Sequence, residues 1–237
     1  METPANPLWT VTDIADAAAA AHAAGALLAV DSTVATPVLT QPLVLGADIV
    51  MPRRRRVPQR PQRPPSPACS WRARTAPIGR QCERYARSWG ALGSFRPGCC
   101  SAACARCRCG CVRPVLRPNE SRRISPRSIH VSEVLYPGLP GAAGHEVAKR
   151  QMKGGFGGML SIRVRGGEAA AIATAANVQL WKRATSLGGT ESLVEHRASV
   201  EGAGTPAPAD LLRLSVGLEH ADDLIADLEQ ALARARA

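Results

Sequence analysis

Residues 26–51, ALLAVDSTVATPVLTQPLVLGADIVM, decide the fold. Ala26–Val30 is short and wholly apolar, which predicts a strand buried on both faces. It ends in Asp31-Ser32-Thr33, a helix-like segment follows, and Ala47–Met51 reads as the next parallel strand. This β-α-β spacing is half of a doubly wound sheet, whose ligands sit at the carboxyl ends of the strands. Asp31 lies at such an end. Upstream, Met1–Pro7 (METPANP) is turn-forming. Residues 13–24 predict a helix, with Thr12 as N-cap and Gly25 as its stop.

Toward the C-terminus, residues 133–136, 158–164 (GMLSIRV) and 211–217 (LLRLSVG) predict strands, the second with alternating inward and outward side chains. Residues 166–176 predict a helix. The last helix spans about 221–235, with Leu224, Ile225, Leu228 and Leu232 on one face. Asp222 and Asp223 fall at its positive end and Arg234 and Arg236 at its negative end, as the helix dipole favours. Together these segments predict a small α+β domain.

Between the two flanks the composition breaks. Residues 51–129 hold 19 Arg, no Lys and only Glu83 and Glu120 as acids, a net charge of +17. The remainder has 11 basic and 17 acidic residues, or −6, so the overall +11 describes neither part. All eight cysteines lie between Cys69 and Cys111, and the three lysines (Lys149, Lys153, Lys182) lie beyond them. Many Pro, high charge and few aliphatics give residues 52–129 the composition of disorder. No apolar run reaches the length of a membrane span, no secretory leader is recognisable, and the cysteine-free flanks fit a reducing compartment. Cytoplasm is the expected location.

The flanks resemble the cystathionine γ-synthase/γ-lyase family of Cys/Met-metabolism enzymes dependent on pyridoxal phosphate. The matching segments are ETPANP (2–7), VDSTVATPVLTQPLVLGADIV (30–50), YPGLPG (136–141), GGFGGMLS (154–161), TSLGGTESLVEHRAS (185–199) and LLRLSVGLEHADDLIADLEQAL (211–232). They stand in family order. Ser32 and Val34 depart from the family's usual Asn and aromatic. The resemblance implies an aspartate-aminotransferase-like α/β fold. It also implies that the family's N-terminal arm, phosphate-cradling glycine turn and stacking aromatic precede the position of Met1.

The resemblance also gives the break a meaning. The family follows its second strand with Ser-Ala-Thr-Lys, whose lysine forms the Schiff base, and commonly with YLNGHSD. Residues 57–64 (VPQRPQRP) can be coded GTA CCT CAA CGG CCA CAG CGA CCN, and reading one base later encodes YLNGHSD. Residues 99–110 (CCSAACARCRCG), read one base earlier in permitted codons, give LLLRGLRTLPLR, a helix the family carries further on. The middle third therefore reads as a frame-shifted translation between in-frame flanks. More than one insertion or deletion is needed, and the frame is regained near His130.

By this resemblance Asp31 holds the pyridinium nitrogen protonated, which makes the cofactor an electron sink; alternatively it caps a loop at a strand end. Asn6 is similar to the residue that contacts the cofactor's phenolic oxygen and the substrate carboxylate, or is a turn Asn before Pro. Thr33 lines the cofactor pocket or serves the turn. Arg213 matches the arginine that binds the substrate α-carboxylate, for which a guanidinium fork is suited; otherwise it is a strand Arg facing solvent. Ser186 helps fix the same carboxylate, or is a loop Ser. The Schiff-base lysine falls within Arg53–Arg56. Arginine cannot replace it, because it stays protonated, and the three lysines read as surface residues.

Cys104, Cys107, Cys109 and Cys111 lack the second separated pair of a structural zinc site. The Arg53–Arg56 run and the following RPQRPP suit phosphates, but aromatic interleaving is sparse, so nucleic-acid binding is expected only non-specifically. His130, His145, His196 and His220 show no ligand spacing. Gly154–Gly158 precedes a strand, which argues against a phosphate loop.

The sequence thus predicts three parts: residues 1–51 as a remnant of a cofactor-binding large domain, residues 52–129 as the basic insert, and residues 130–237 as a small domain. It predicts a chain derived from a pyridoxal-phosphate enzyme of transsulfuration, acting on an amino acid and inactive as written. A nucleic-acid-binding protein built on the insert is the alternative. The resemblance implies a homo-oligomer, and no membrane association is expected.

Overall fold

The computed structural model describes residues 1–51, 72–73, 129–202 and 204–235. The cysteine cluster, the arginine run and the expected disorder of 52–129 lie outside the described residues, save Arg72, Ala73 and Ile129.

The first helix, α1, spans Ile14–Ala23. Its N-cap is Asp13 and not Thr12, because the Asp13 carboxylate accepts the N–H groups of Ala15 and Asp16. Gly25, at φ 69°, follows as the stop. The strand β1 (Ala29–Asp31) starts later than the apolar run suggests and carries Asp31 as its last residue. Burial on both faces does not hold for the run: Val30 is buried, but Leu27 is 56% exposed. A four-residue helix, α2 (Thr36–Leu39), leads to β2 (Ile49–Met51), which pairs parallel with β1. A two-residue strand, β3 (Arg72–Ala73), pairs antiparallel on the far side of β2. The free edge of β1 is taken by the N-terminal segment, since Asp31 N–H donates to Met1 O and Thr3 N–H to Asp31 O. Ile14 and Ala18 of α1 close a small core over Leu28, Val30 and Ala47.

The second sheet has the order β4-β5-β8-β7-β6. Its strands are β4 (Val131–Leu135), β5 (Met159–Val164), β6 (Lys182–Arg183), β7 (Leu193–His196) and β8 (Leu211–Ser215). All neighbours are antiparallel except β6 and β7. The helices α4 (Gly167–Asn177) and α6 (Ala221–Arg234) cover one face. There Leu160, Ile162, Leu212, Leu214 and Val194 meet Ala171, Ala175, Leu224, Leu228 and Leu232. Each fully buried aliphatic contributes about 1.5–3 kcal/mol. Asp222 and Asp223 lie in the first turn of α6 and Arg234 in its last; Arg236 lies outside the described residues.

Two helices went unread in the sequence. α3 (His145–Gln151) is short and begins after Gly144, and α5 (Arg197–Glu201) is a single turn after β7. Neither is long enough to display a helical period. α3 joins the two halves, with Ala148 and Met152 packing against Ala35 and Leu39. Gln151 accepts the Ile14 N–H and donates to Thr12 O.

The expected alternation along β5 is also corrected. Every residue from Met159 to Val164 is buried except Arg163, which is half-buried. The second face is covered by the N-terminal segment: Trp9 Nε1–H donates to Ser161 Oγ (2.8 Å), and Ser161 Oγ–H donates to Pro7 O (2.8 Å).

Candidate functional site

The covered face of the second sheet carries a row of polar side chains. In the sheet register Ser161 stands opposite Arg213, and Arg213 opposite Glu195, so β5, β8 and β7 each contribute one residue to the row. Arg213 is 2% exposed, which excludes a strand arginine facing solvent. Its Nη2 donates to Thr185 O (2.8 Å) and Ser186 O (3.0 Å) and is ion-paired with Glu195. The structure thus brings Arg213 and Ser186 together, through the Ser186 carbonyl. Burial pulls the Arg213 guanidinium down from its ordinary value, while the Glu195 carboxylate pushes it up. Its Nε is buried without a hydrogen-bond partner among the described residues.

Arg197, the first residue of α5, reaches back to the same acid. Its Nη1 lies 3.2 Å from Glu195 Oε1, and its Nε donates to Glu201 Oε1 at 2.5 Å. Glu195 is therefore shared by two guanidinium groups and is itself buried.

Asp31 closes β1, where its Oδ1 accepts the backbone N–H (2.9 Å) and the hydroxyl of Thr33. Glu2 bridges Asp31 in parallel through the backbone. Burial raises the Glu2 carboxyl above its ordinary value; the neighbouring Asp31 adds to this, while the Asn6 N–H and the Arg197 charge oppose it. Asn6 and Ser32 each hold a buried side-chain oxygen without a hydrogen-bond partner among the described residues, Asn6 Oδ1 and Ser32 Oγ. Asn6 is next to Pro7, whose carbonyl takes the Ser161 hydroxyl. A continuous path therefore runs from Asp31 through Glu2, Asn6 and Pro7 to Ser161 and Arg213.

Sequence reading singled out Asp31, Asn6, Thr33, Arg213 and Ser186 but missed Glu2, Trp9, Ser161, Glu195 and Arg197. All but Trp9 had one available signal, since they lie inside the quoted segments. Away from the row, Lys149, Lys153 and Lys182 are all exposed. His196 is buried, bonding Ser199 Oγ and Ala209 O. Among the described residues no group of three or more His, Cys, Asp or Glu could hold a metal ion, and no helix is long and apolar enough to cross a membrane.

A parallel β-α-β unit ending in Asp31 is thus joined to a mixed sheet that bears the buried Arg213, an α/β arrangement. The family model of Cys/Met metabolism PLP-dependent enzymes matches residues 1–53 and 125–233, and the chain belongs to that family. It is 38% identical to a cystathionine γ-synthase of Mycobacterium tuberculosis over 257 residues, covering 98% of this chain and 61% of that protein. It is 36% identical to a cystathionine γ-lyase of Dictyostelium discoideum, covering 98% and 62%. A crystal structure of cystathionine γ-synthase from Xanthomonas oryzae pv. oryzae, in complex with cystathionine, superposes with a TM-score of 0.82 at 34% identity. That match covers all of this chain and 62% of the other. The fold is a partial α/β fold of the pyridoxal-phosphate transferases, and the chain spans about three fifths of the length of these relatives.

The residues present fit pyridoxal phosphate, the family's cofactor, only in part. Asp31 and the orphaned oxygens of Ser32 and Asn6 supply polar groups for a bound ring. The amine needed to hold it covalently does not fit: all three lysines of the chain are exposed, and positions 53–56 are arginines.

Proposed function

We propose that this chain derives from an enzyme that makes or breaks a C–S bond at the γ- or β-carbon of an amino acid, and that as written it carries no turnover. The observation that carries this reading is Arg53–Arg56 standing where the family resemblance requires a lysine, with every lysine of the chain exposed elsewhere. The cofactor, when bound, supplies an electron sink. Asp31 serves to hold a ring nitrogen protonated, with Thr33 fixing its carboxylate, and Asn6 contacts the phenolic oxygen of the ring. Arg213 receives the α-carboxylate, and Ser186 sets its fork through the peptide carbonyl. A lysine amine has two tasks, holding the cofactor and moving the α-proton, and no group in the described site takes either.

Residues 52–129 are, in this reading, the out-of-frame product of the parent gene, between a remnant of the large domain (1–51) and a small domain (130–237). The interval that the family model leaves unmatched, 54–124, lies inside that stretch and supports the reading. The parent is a cytoplasmic homo-oligomer. Mixing the purified chain with pyridoxal phosphate and reducing with borohydride should fix no stoichiometric label at one residue. Restoring the ancestral frame across residues 52–129, in a chain of the relatives' full length, should recover both the label and γ-replacement or elimination. Single-site labelling of the unrepaired chain, with turnover of cystathionine or an acyl-homoserine, would overturn the proposal.

The +17 charge of residues 51–129 favours a second reading, a nucleic-acid-binding protein. It requires affinity that falls steeply and linearly in log–log coordinates with salt, and also a preferred sequence or structure. Equal affinity for unrelated DNA and RNA marks adventitious binding.

A further inference from the structure

Arg213 is already paired before any ligand arrives. Its partner Glu195 is a buried carboxylate, so a second carboxylate approaching Arg213 meets a like charge in a medium that screens it poorly. Taken alone, the Arg213–Glu195 pair has zero net charge and would become −1 on accepting an anion. That arrangement repels the ligand.

Arg197 changes the sum. It bonds the other oxygen of Glu195, at 3.2 Å, and its side chain is 20% exposed. The trio Arg213–Glu195–Arg197 carries +1 and becomes neutral when a carboxylate binds. Glu201, ion-paired with Arg197 from its outer side, brings the four-group cluster to zero, so without Arg197 the site would stand at −1 before any carboxylate arrives. The Arg197 charge also acts on the Glu2 carboxyl, opposing the rise that burial imposes there.

We propose that Arg197 is a positioning residue that balances the charge of Glu195 and so lets Arg213 accept a substrate carboxylate. The inference rests on the carboxylate role of Arg213 and goes beyond it, by giving a part to a residue outside the contact itself. Two guanidinium groups on one acid also fix the Glu195 rotamer, and with it the direction of the Arg213 fork.

The test uses the full chain, L-methionine as probe and L-methioninamide, which lacks the carboxylate, as control. The indole N–H resonance of Trp9, assigned with Trp9→Phe, reports binding because its acceptor Ser161 stands opposite Arg213. The native chain should show a saturable shift with L-methionine and none with the amide. Arg197→Gln should weaken binding about tenfold or more, the scale of one like-charge contact at partial screening. Arg197→Lys should keep binding near the native value. Glu195→Gln should tighten it, and Arg197→Gln combined with Glu195→Gln should restore it, since one cation and one anion are removed together. A merely structural arginine would not be rescued by deleting its partner's charge. If Arg197→Gln does not fold by far-UV circular dichroism, Glu195→Gln and Arg197→Lys decide. A native response that vanishes in Arg213→Lys but persists in Arg197→Gln, or a Glu195→Gln chain that binds more weakly, overturns this inference and leaves the Arg213 site standing. No saturable response in the native chain overturns both.

Discussion

At the scale of single residues, Asp227 shows how an acid is made structural. Its carboxylate accepts the consecutive N–H groups of Gln179, Leu180 and Trp181 and the Gln230 amide. Burial opposes its ionisation, yet these donors hold its carboxyl below the ordinary value of 3.8. A lowered native value means stability that is present above pH 3.8 and is lost as pH falls through the native value. Asp227→Asn should therefore destabilise the protein at neutral pH by about 1–3 kcal/mol, the range for leaving buried groups unsatisfied. In denaturant titrations the difference from native should shrink as pH drops below that value. Among site residues, Asp31 was legible because an apolar run ends in it, and Arg213 because it sits in a family segment. Glu195 and Arg197 also sit in a family segment, but their partnership was not legible. In SLVEHRAS they read as ordinary charges around a strand end, and nothing local reveals that one acid is buried between two arginines contributed by different elements.

Elements carry their own errors and their own tests. The face of α6 was readable from its period, and Leu228 lies at its centre, 3% exposed. Leu228→Ala should cost about 2–5 kcal/mol, measured by the urea midpoint at unchanged m-value. Gly217, just after β8, has no room for a methyl group: a Cβ there meets the Thr190 carbonyl oxygen and Glu191 backbone well inside van der Waals contact. Gly217→Ala should displace the 190–192 loop and lower the melting temperature; an unchanged melting temperature would show that the loop yields freely. The β5 strand was placed correctly but its second face was not. Its cover is Trp9, 152 residues away, and a strand pattern holds no information about a partner that distant. The cap of α1 was misassigned by one residue because Thr12 and Asp13 are both good caps, and only geometry chooses between them.

For the whole molecule, the tie between the N-terminal segment and the second sheet runs through Ser161, which both accepts from Trp9 and donates to Pro7. Ser161→Ala leaves two buried groups unpaired, with an expected loss of about 1–3 kcal/mol. Because both parts share this contact, indole fluorescence and far-UV circular dichroism should still give one coincident transition, shifted down together. Separate midpoints would show that the parts unfold independently. The row of Ser161, Arg213 and Glu195 has one more consequence. Sliding β8 by a single residue would send the Arg213 guanidinium to the aliphatic face among Leu160, Ile162 and Val194, where no carboxylate awaits it, and would leave Glu195 facing a leucine. Misaligned pairings of these strands are thus far more costly than a purely greasy sheet would make them, so the buried charges also proofread the assembly of the sheet.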